Sequence, residues 1–296
     1  MEMWSMSRSL SVALLISPFL CLLPLAGCSG GGDTITSPDG VPIAFDKVGD
    51  GDITLVLVHG WCCDRGYWQK QVAGLSDRFT IVTLDLAGHG QSGLQRDDYT
   101  MEAFGRDVAA VVNGLDLQNV YLVGHSMGGP VIVEAAPLLE GRLLGLIGID
   151  TLQEPRFVLE ASQIDAFLQP MRENFPAAVD GFARGMFPAD ADTALVDKVA
   201  RDMASAPPEV ALSAMRHMLI NDLSATLRQL DLPIFCLDAN MRPIDFEAWK
   251  MYPGGYTAVV MEGVGHFLFM EDAEGFNAKL VELVDRMQKY SAKEGG

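Results

Sequence analysis

Apolar, β-branched runs alternate with amphipathic stretches along most of the chain, and this alternation restricts the fold more than any other feature. The runs LVLVH, YLVG and LIGID lack a polar residue at every second position, which is typical of strands buried on both faces. Strands that alternate with helices predict an α/β fold, with a mostly parallel, doubly wound sheet. The predicted strands are Val41–Val48, Ile53–Val58, Thr80–Leu84, Val120–Val123, Leu143–Ile149, Pro233–Leu237 and Thr257–Met261. The predicted helices are Gly66–Leu75, Met101–Leu115, Met127–Leu139 and Glu271–Lys289.

One interval between two predicted strands is too long for a simple crossover. Residues 151–232 contain no convincing strand, but several helical pieces separated by prolines. We interpret this interval as a helical cap inserted between two strands of one sheet. The core of the domain then comprises residues 41–150 and 233–290. Because the cap is rich in Met and Phe, we expect it to roof an apolar pocket.

Composition excludes several classes of protein. Of 296 residues, 49% are hydrophobic and 20% charged, which indicates a globular chain and not a disordered one. The formal net charge of -18 argues against nucleic acid as a partner, and against a polybasic membrane patch, because both targets are polyanions. Five Cys in so long a chain do not form a disulfide framework, and we expect free thiols.

The N-terminal residues are typical of a secretory signal peptide. A single cation, Arg8, precedes the apolar run Leu10–Leu25, which two prolines interrupt. The run has 16 residues, which is short for a membrane span. We therefore expect this segment to direct export. An ordinary signal peptide and an uncleaved anchor helix are the alternatives to a lipoprotein signal peptide.

The end of the apolar run, LAGC, resembles a bacterial lipobox. The resemblance implies that residues 1–27 are removed as a lipoprotein signal peptide and that Cys28 is lipidated. The lipid bilayer then becomes a partner, and the protein is exported and membrane-anchored on the periplasmic or cell-surface side. Residues 28–40 are rich in Gly, Ser and Asp, and we expect a flexible tether there.

The strongest chemical signal is the segment GHSMGG, which contains Ser126. It directly follows the strand VYLV and directly precedes a predicted helix. A serine on so tight a strand-to-helix turn needs small residues two positions to either side, and Gly124 and Gly128 supply them. This is the context of a nucleophile elbow, in which the turn presents the serine hydroxyl above the sheet. Ser126 is therefore the candidate nucleophile.

A serine nucleophile needs a base, and the chain has five histidines. His59 ends a strand, His89 lies in a Gly-His-Gly turn, and His125 should point away from the serine. An elbow-type triad runs Ser, then Asp or Glu, then His in chain order, which leaves His217 in the cap and His266. Only His266 follows the last strand at the carboxyl edge of the sheet, where such sheets bind ligands. We predict His266 as the base.

Two backbone N–H groups should form an oxyanion hole. One belongs to Met127, the residue after the nucleophile. The other lies in the turn after LVLVH, and we assign it to Trp61. Removing one such donor typically costs ~10²–10³ in rate.

The motifs HGWCCDRGYW, DLAGHGQS, GHSMGG and GVGHF, in this order, resemble the α/β-hydrolase fold superfamily, in its serine carboxylesterase branch. The resemblance covers about residues 41 to 290. It implies a Ser-His-acid triad and gives Asp85 a structural role in its loop. The dehalogenase and epoxide hydrolase branches place Asp at the elbow, so Ser126 argues against both.

The triad acid departs from the family pattern. The family usually places it after the seventh strand in a G-x-x-D pattern, where this chain has Ala239 and Arg242. Asp238 lies on the strand end itself, and Asp245 comes three residues late. Some family esterases instead take the acid from the end of strand six, where Asp150 stands. We assign Asp150, with Asp238 and Asp245 as alternatives.

The resulting prediction is hydrolysis of a carboxylic ester through an acyl-enzyme. The expected substrate is a small ester with an apolar acyl or aromatic group, and no cofactor or metal is required. Alternatives on the same triad are a carbon–carbon bond hydrolase, a lactonase or a cofactor-free perhydrolase. A non-catalytic binding protein on this fold is the alternative from a different class.

Overall fold

The computed structural model describes Met1 and residues 32–294, with side chains through residue 289. The predicted signal peptide and the lipidation residue Cys28 lie outside the described residues and stay predictions. Among the residues that are described, no helix is both long and apolar enough to cross a bilayer.

Eight strands form a single sheet in the order β1-β2-β4-β3-β5-β6-β7-β8. β1 and β2 pair antiparallel, as do β2 and β4, and every other neighbouring pair is parallel. The predicted α/β fold with a mostly parallel sheet is confirmed. The strands are β1 Asp33–Thr36, β2 Pro42–Val48, β3 Thr54–Val58, β4 Thr80–Leu84, β5 Val120–His125, β6 Leu143–Ile149, β7 Ile234–Ala239 and β8 Tyr256–Met261.

The central strands are buried along their whole length, which explains their unbroken apolar runs. Every residue of β3, β4, β5 and β7 is buried. Helices flank the sheet, with α2 packed on α3 and α1 packed on α11. The helices are α1 Gln69–Leu75, α2 Met101–Gly114, α3 Gly128–Ala135, α4 Ala161–Glu173, α5 Phe175–Arg184, α6 Thr193–Ala204, α7 Pro208–Ile220, α8 Ser224–Leu227, α9 Phe246–Trp249, α10 Leu268–Glu271 and α11 Ala273–Glu294.

Five helices, α4 to α8, lie between β6 and β7, in the interval predicted as a cap. α5 packs against α4 and α6, and α4 packs against α7. The insertion rests on the core, because α7 contacts α2 and α8 contacts α3. The proline-broken pattern therefore corresponds to a helical layer that continues onto the core helices.

The predicted tether at residues 28–40 differs from the structure over its second half. Asp33–Thr36 form β1, which pairs antiparallel with β2 at the edge of the sheet. Ser37 is buried, and its hydroxyl donates a hydrogen bond to Asp107 Oδ1 at 2.6 Å. The Gly-rich composition predicted flexibility. The β-branched residues of TIT favour a strand instead, and β2 provides the strand with which they pair.

Candidate active site

Ser126 lies between the end of β5 and the start of α3, with a φ of 53°. A non-glycine residue rarely adopts this left-handed conformation, so the turn is strained. The Ser126 N–H donates to the carbonyl oxygen of Ile149 at 3.0 Å, which ties the turn to the end of β6. The side chain is half-buried and lines a cavity between core and cap.

The glycines beside Ser126 allow the backbone to approach itself closely. A Cβ added at Gly124 would overlap the carbonyl oxygen of Gly128. A Cβ added at Gly128 would lie 2.6 Å from the carbonyl oxygen of Val58 on β3. Any larger residue at either position would displace the turn. The glycines two positions to either side of Ser126 are therefore required by close contact of the backbone.

His266 follows β8 and is held from three sides. Its Nδ1 donates to Asp150 Oδ2 at 2.5 Å, which leaves Nε2 free to accept a proton. Its backbone N–H donates to the carbonyl oxygen of Met186 in the cap at 2.9 Å. Its carbonyl oxygen accepts from His125 Nε2 at 3.0 Å. The ring is thereby fixed in tautomer and position, and it lines the same cavity as Ser126.

Asp150 occupies the residue after β6, with a φ of 44°. Its backbone N–H donates to the carbonyl oxygen of Leu237 at 2.9 Å, on the neighbouring strand β7. Its Oδ1 accepts from the Ala239 N–H at 3.0 Å and from Gln153 Nε2 at 3.3 Å. Both carboxylate oxygens are thus hydrogen-bonded, one of them to His266.

The two alternative acids are engaged elsewhere. Asp238 is buried, and its Oδ1 accepts from Gln153 Nε2 at 3.0 Å. Asp245 caps α9 by accepting from the Ala248 N–H, and it lies 3.7 Å from Arg156. No hydrogen bond joins either carboxylate to His266 among the described residues.

The remaining histidines are also engaged. His59 Nδ1 donates to the Gly60 carbonyl oxygen at 2.8 Å, and its Nε2 accepts from the Leu86 N–H at 3.0 Å. His217 Nδ1 donates to the Ser213 carbonyl oxygen on α7 at 2.9 Å. Burial holds the pKa of His125 well below its usual range, so this ring is neutral and donates only to the His266 carbonyl.

The predicted oxyanion donors lie on either side of the serine. A Cβ added at Gly60 would lie 3.2 Å from Ser126 Cβ, so the turn that contains Trp61 packs against Ser126. Within residues 32–294, the backbone N–H groups of Trp61 and Met127 have no hydrogen-bond partner. The Trp61 ring is fixed from the cap, because its Nε1 donates to the Ala211 carbonyl oxygen at 2.7 Å.

The cavity over these residues has a volume of about 550 Å³, within the range of small-molecule sites. Ser126, His266, Asp150 and Trp61 all line it. Apolar cap side chains supply much of the remaining wall: Phe157, Leu159, Phe167, Phe182, Met186, Met203, Met215, Met218, Leu219 and Leu223. Seven of the ten Met and Phe residues within residues 151–232 line this cavity, and Met171, Phe175 and Phe187 do not.

Within the described residues, the thiols and the metal-binding residue types form no site of their own. Cys62, Cys63 and Cys236 are buried and free, as expected. Burial raises the pKa of the Cys63 thiol, which keeps it protonated and unreactive. In the part of the chain that the structure describes, no three His, Cys, Asp or Glu side chains cluster to hold a metal ion.

Gln153 is the site residue that sequence reasoning missed. It lines the cavity and donates to both Asp150 and Asp238. The segment TLQEP offers no motif that distinguishes this amide from any loop glutamine. Its position depends on the conformation of the loop after β6, where Leu152 also adopts a positive φ of 62°.

Comparisons with known proteins find a sequence relative and solved structures of similar fold. Karrikin insensitive 2 receptor CA from Petunia hybrida is 26% identical over 63% of this chain and 73% of its own length. An esterase from Exiguobacterium antarcticum superposes with a TM-score of 0.77 at 22% identity, over 86% of this chain and 99% of that chain. A thermophilic esterase from Thermogutta terrifontis does so with a TM-score of 0.73 at 27% identity, over 86% and 98%.

A family model described as alpha/beta hydrolase fold matches residues 53–239, from the beginning of β3 to the end of β7. This interval includes the elbow, Asp150 and the whole helical insertion. On the match over more than half of the sequence, the chain belongs to the alpha/beta hydrolase fold family.

Proposed function

We propose that the protein hydrolyses carboxylic esters through an acyl-enzyme, with Ser126 as nucleophile, His266 as general base and Asp150 as triad acid. Ser126 Oγ attacks the ester carbonyl carbon while His266 Nε2 takes the hydroxyl proton. The imidazolium then gives this proton to the leaving alkoxide. A water molecule activated by His266 releases the acid in the second half of the reaction.

One observation carries the proposal. His266 donates from Nδ1 to Asp150, and its ring lines the same cavity as a serine on a strained strand-to-helix turn. A carboxylate on Nδ1 fixes the tautomer that can accept a proton at Nε2 and stabilises the imidazolium that forms. The likeness to the esterase from Thermogutta terrifontis gives independent support.

The oxyanion of the tetrahedral intermediate is assigned to the backbone N–H groups of Trp61 and Met127. Both lack a hydrogen-bond partner within the described chain, which is what donors reserved for a ligand require. Because these are main-chain atoms, side-chain replacement does not remove them.

The wall of the cavity supports an apolar acyl or aromatic group on a small ester. Phe and Met side chains of the cap line the same cavity as Ser126 and His266. Burial of an apolar substrate group against them is favourable. Turnover of p-nitrophenyl esters by the purified full chain should therefore rise with acyl length until the cavity is filled, and then fall.

A fluorophosphonate probe tests the nucleophile directly. It should label the wild-type chain, whereas Ser126→Ala should lose both labelling and ester turnover. Ser224→Ala, which replaces a buried serine on α8, serves as the control and should keep both. Comparable turnover by the Ser126→Ala variant would refute the acyl-enzyme mechanism.

A ligand-binding role is the second candidate, favoured by the likeness to a protein named as a receptor. The same ester panel separates the two, because a binding protein would occupy the cavity without sustained turnover. Assays of lactone hydrolysis, perhydrolysis and carbon–carbon bond hydrolysis with the same protein would show whether simple esters are the preferred class of substrate.

We also propose that the chain is exported and anchored to a membrane through lipidated Cys28. The sequence LAGC after the apolar run supports this. The full chain should partition with membranes, and Cys28→Ser should abolish lipid attachment. An unmodified Cys28 at the mature N-terminus, or a retained Met1, would contradict it. Stable anchoring requires more than one acyl chain.

A further inference from the structure

Two buried acidic side chains stand next to each other at the carboxyl edge of the sheet. β6 and β7 pair with Ile149 opposite Leu237, so the residues that follow, Asp150 and Asp238, are neighbours. Asp150 is 7% exposed and Asp238 is 1% exposed. The proposed mechanism uses only Asp150, and it leaves a buried acid beside the triad unexplained.

Gln153 joins the two acids. Its Nε2 donates to Asp150 Oδ1 at 3.3 Å and to Asp238 Oδ1 at 3.0 Å. The amide is itself buried, and its backbone carbonyl accepts from the Asp245 N–H at 2.9 Å. One residue earlier, the Leu152 carbonyl accepts from Trp249 Nε1 at 3.0 Å. The loop after β6 is therefore fastened to the segment after β7.

Asp238 is held in its protonated form. Burial, together with the charge of Asp150, raises the pKa of Asp238 to about 8, so it is neutral at pH 7. Its Oδ2 is buried with no hydrogen-bond partner among the described residues, and burying such an oxygen costs more when it is charged than when it is neutral. Asp150, Cys236 and Tyr256 are the titratable groups that act on it.

We propose that Gln153 and Asp238 are positioning residues for Asp150: Asp238 holds the Gln153 amide, and the amide holds the carboxylate that orients His266. The inference rests on the proposed function. Without the bridge, Asp150 Oδ1 keeps only the Ala239 N–H, and the carboxylate can rotate away from His266. The proton of Asp238 keeps a second charge from competing for the same amide.

Kinetics of p-nitrophenyl ester hydrolysis test the proposal on the full chain. Gln153→Ala should lower kcat roughly tenfold with KM little changed, the effect of losing one hydrogen bond to a charged group. Asp238→Ala should give a similar loss, and Asp238→Asn should recover most of it, since an amide oxygen can accept from Gln153. Asp245→Asn is the matched control on the same segment, because asparagine still caps α9.

A double-mutant cycle separates positioning from general structural support. In an Asp150→Asn background, Gln153→Ala should cost nothing further, because the carboxylate that it orients is gone. An undiminished tenfold loss in that background would overturn the proposal, as would wild-type kcat for Gln153→Ala. Asp238→Asn keeps the test valid if Asp238→Ala does not fold.

The outcome is separable from that of the proposed function. If Ser126→Ala retains turnover, the acyl-enzyme mechanism fails and the positioning proposal fails with it. If Ser126→Ala is inactive but Gln153→Ala matches the wild type in kcat, only the positioning proposal fails.

Discussion

The carboxyl edge of the sheet holds a pair of buried titratable side chains on each side of Ser126. In one pair burial keeps both side chains neutral, whereas in the other it neutralises only one side chain and the second contacts His266. On the β3–β4 side, the rings of His59 and His89 lie 5.0 Å apart. Burial lowers the pKa of His59 to about 4 and that of His89 to about 3, so both are neutral at pH 7. On the β6–β7 side, burial neutralises Asp238, while Asp150 contacts His266.

The difference lies in what each pair has as partners. His59 is satisfied at both ring nitrogens by backbone groups, the Gly60 carbonyl oxygen of its own turn and the Leu86 N–H after β4, so it supports the turn that contains Trp61. Asp150 takes its donors from Ala239, Gln153 and His266, which lie on three separate segments. A buried group can serve structure when nearby backbone satisfies it. It can serve chemistry when its partner is another titratable side chain.

The largest effect should come from removing that titratable partner. His266→Ala should reduce kcat at least ~10³-fold, because His266 is the cavity histidine whose ring donates to a carboxylate. His217→Ala should leave kcat within a few-fold, because that ring bonds its own helix. Ester hydrolysis rates of the two purified variants decide the matter, and the reverse ranking would mean that the base lies in the cap.

The next effect concerns the acid. Asp150→Asn should lower kcat by ~10²–10⁴ while the thermal midpoint changes little, because the amide keeps the shape but not the charge. Asp245→Asn should cost far less. Full activity of Asp150→Asn, with a large loss in Asp238→Asn, would move the triad acid to β7 and remove the contrast between the two acids.

The smallest effect is on the free energy of unfolding. Its dependence on pH should have opposite signs for Asp238 and His89. The unfolded chain binds fewer protons at Asp238 than the folded chain between pH ~4 and ~8, so stability falls as pH rises through that window. Asp238→Asn should therefore become more stable relative to the wild type as pH rises through that window.

At His89 the unfolded chain binds more protons below its ordinary pKa, so stability is lost as pH falls from ~6.5 toward ~3. His89→Gln should therefore be more stable relative to the wild type at acid pH than at alkaline pH. Free energies of unfolding from denaturant titrations at about pH 5 and about pH 9 measure both trends. Parallel trends in the two variants would contradict the contrast.

The sequence predicted the features that depend on local pattern. The buried runs of β3, β5 and β6 and the glycines around Ser126 carry their own signals, because burial on both faces and backbone contact each restrict residue type. β1 escaped prediction because four residues at a sheet edge become a strand only through their pairing with β2. Gln153 escaped because its role arises from a loop in which Asp150 and Leu152 both adopt positive φ.

Two hydrogen bonds across the boundary between cap and core have a consequence for evolution and engineering. Trp61 Nε1 bonds to Ala211, and the His266 N–H bonds to Met186. The cap thus fastens both the turn that contains Trp61 and the loop that contains His266. Such a cap is not an interchangeable module: a chimera that imports another cap must reproduce two acceptors in register. Substrate range should therefore diversify through the side chains of the cap sooner than through replacement of its helices.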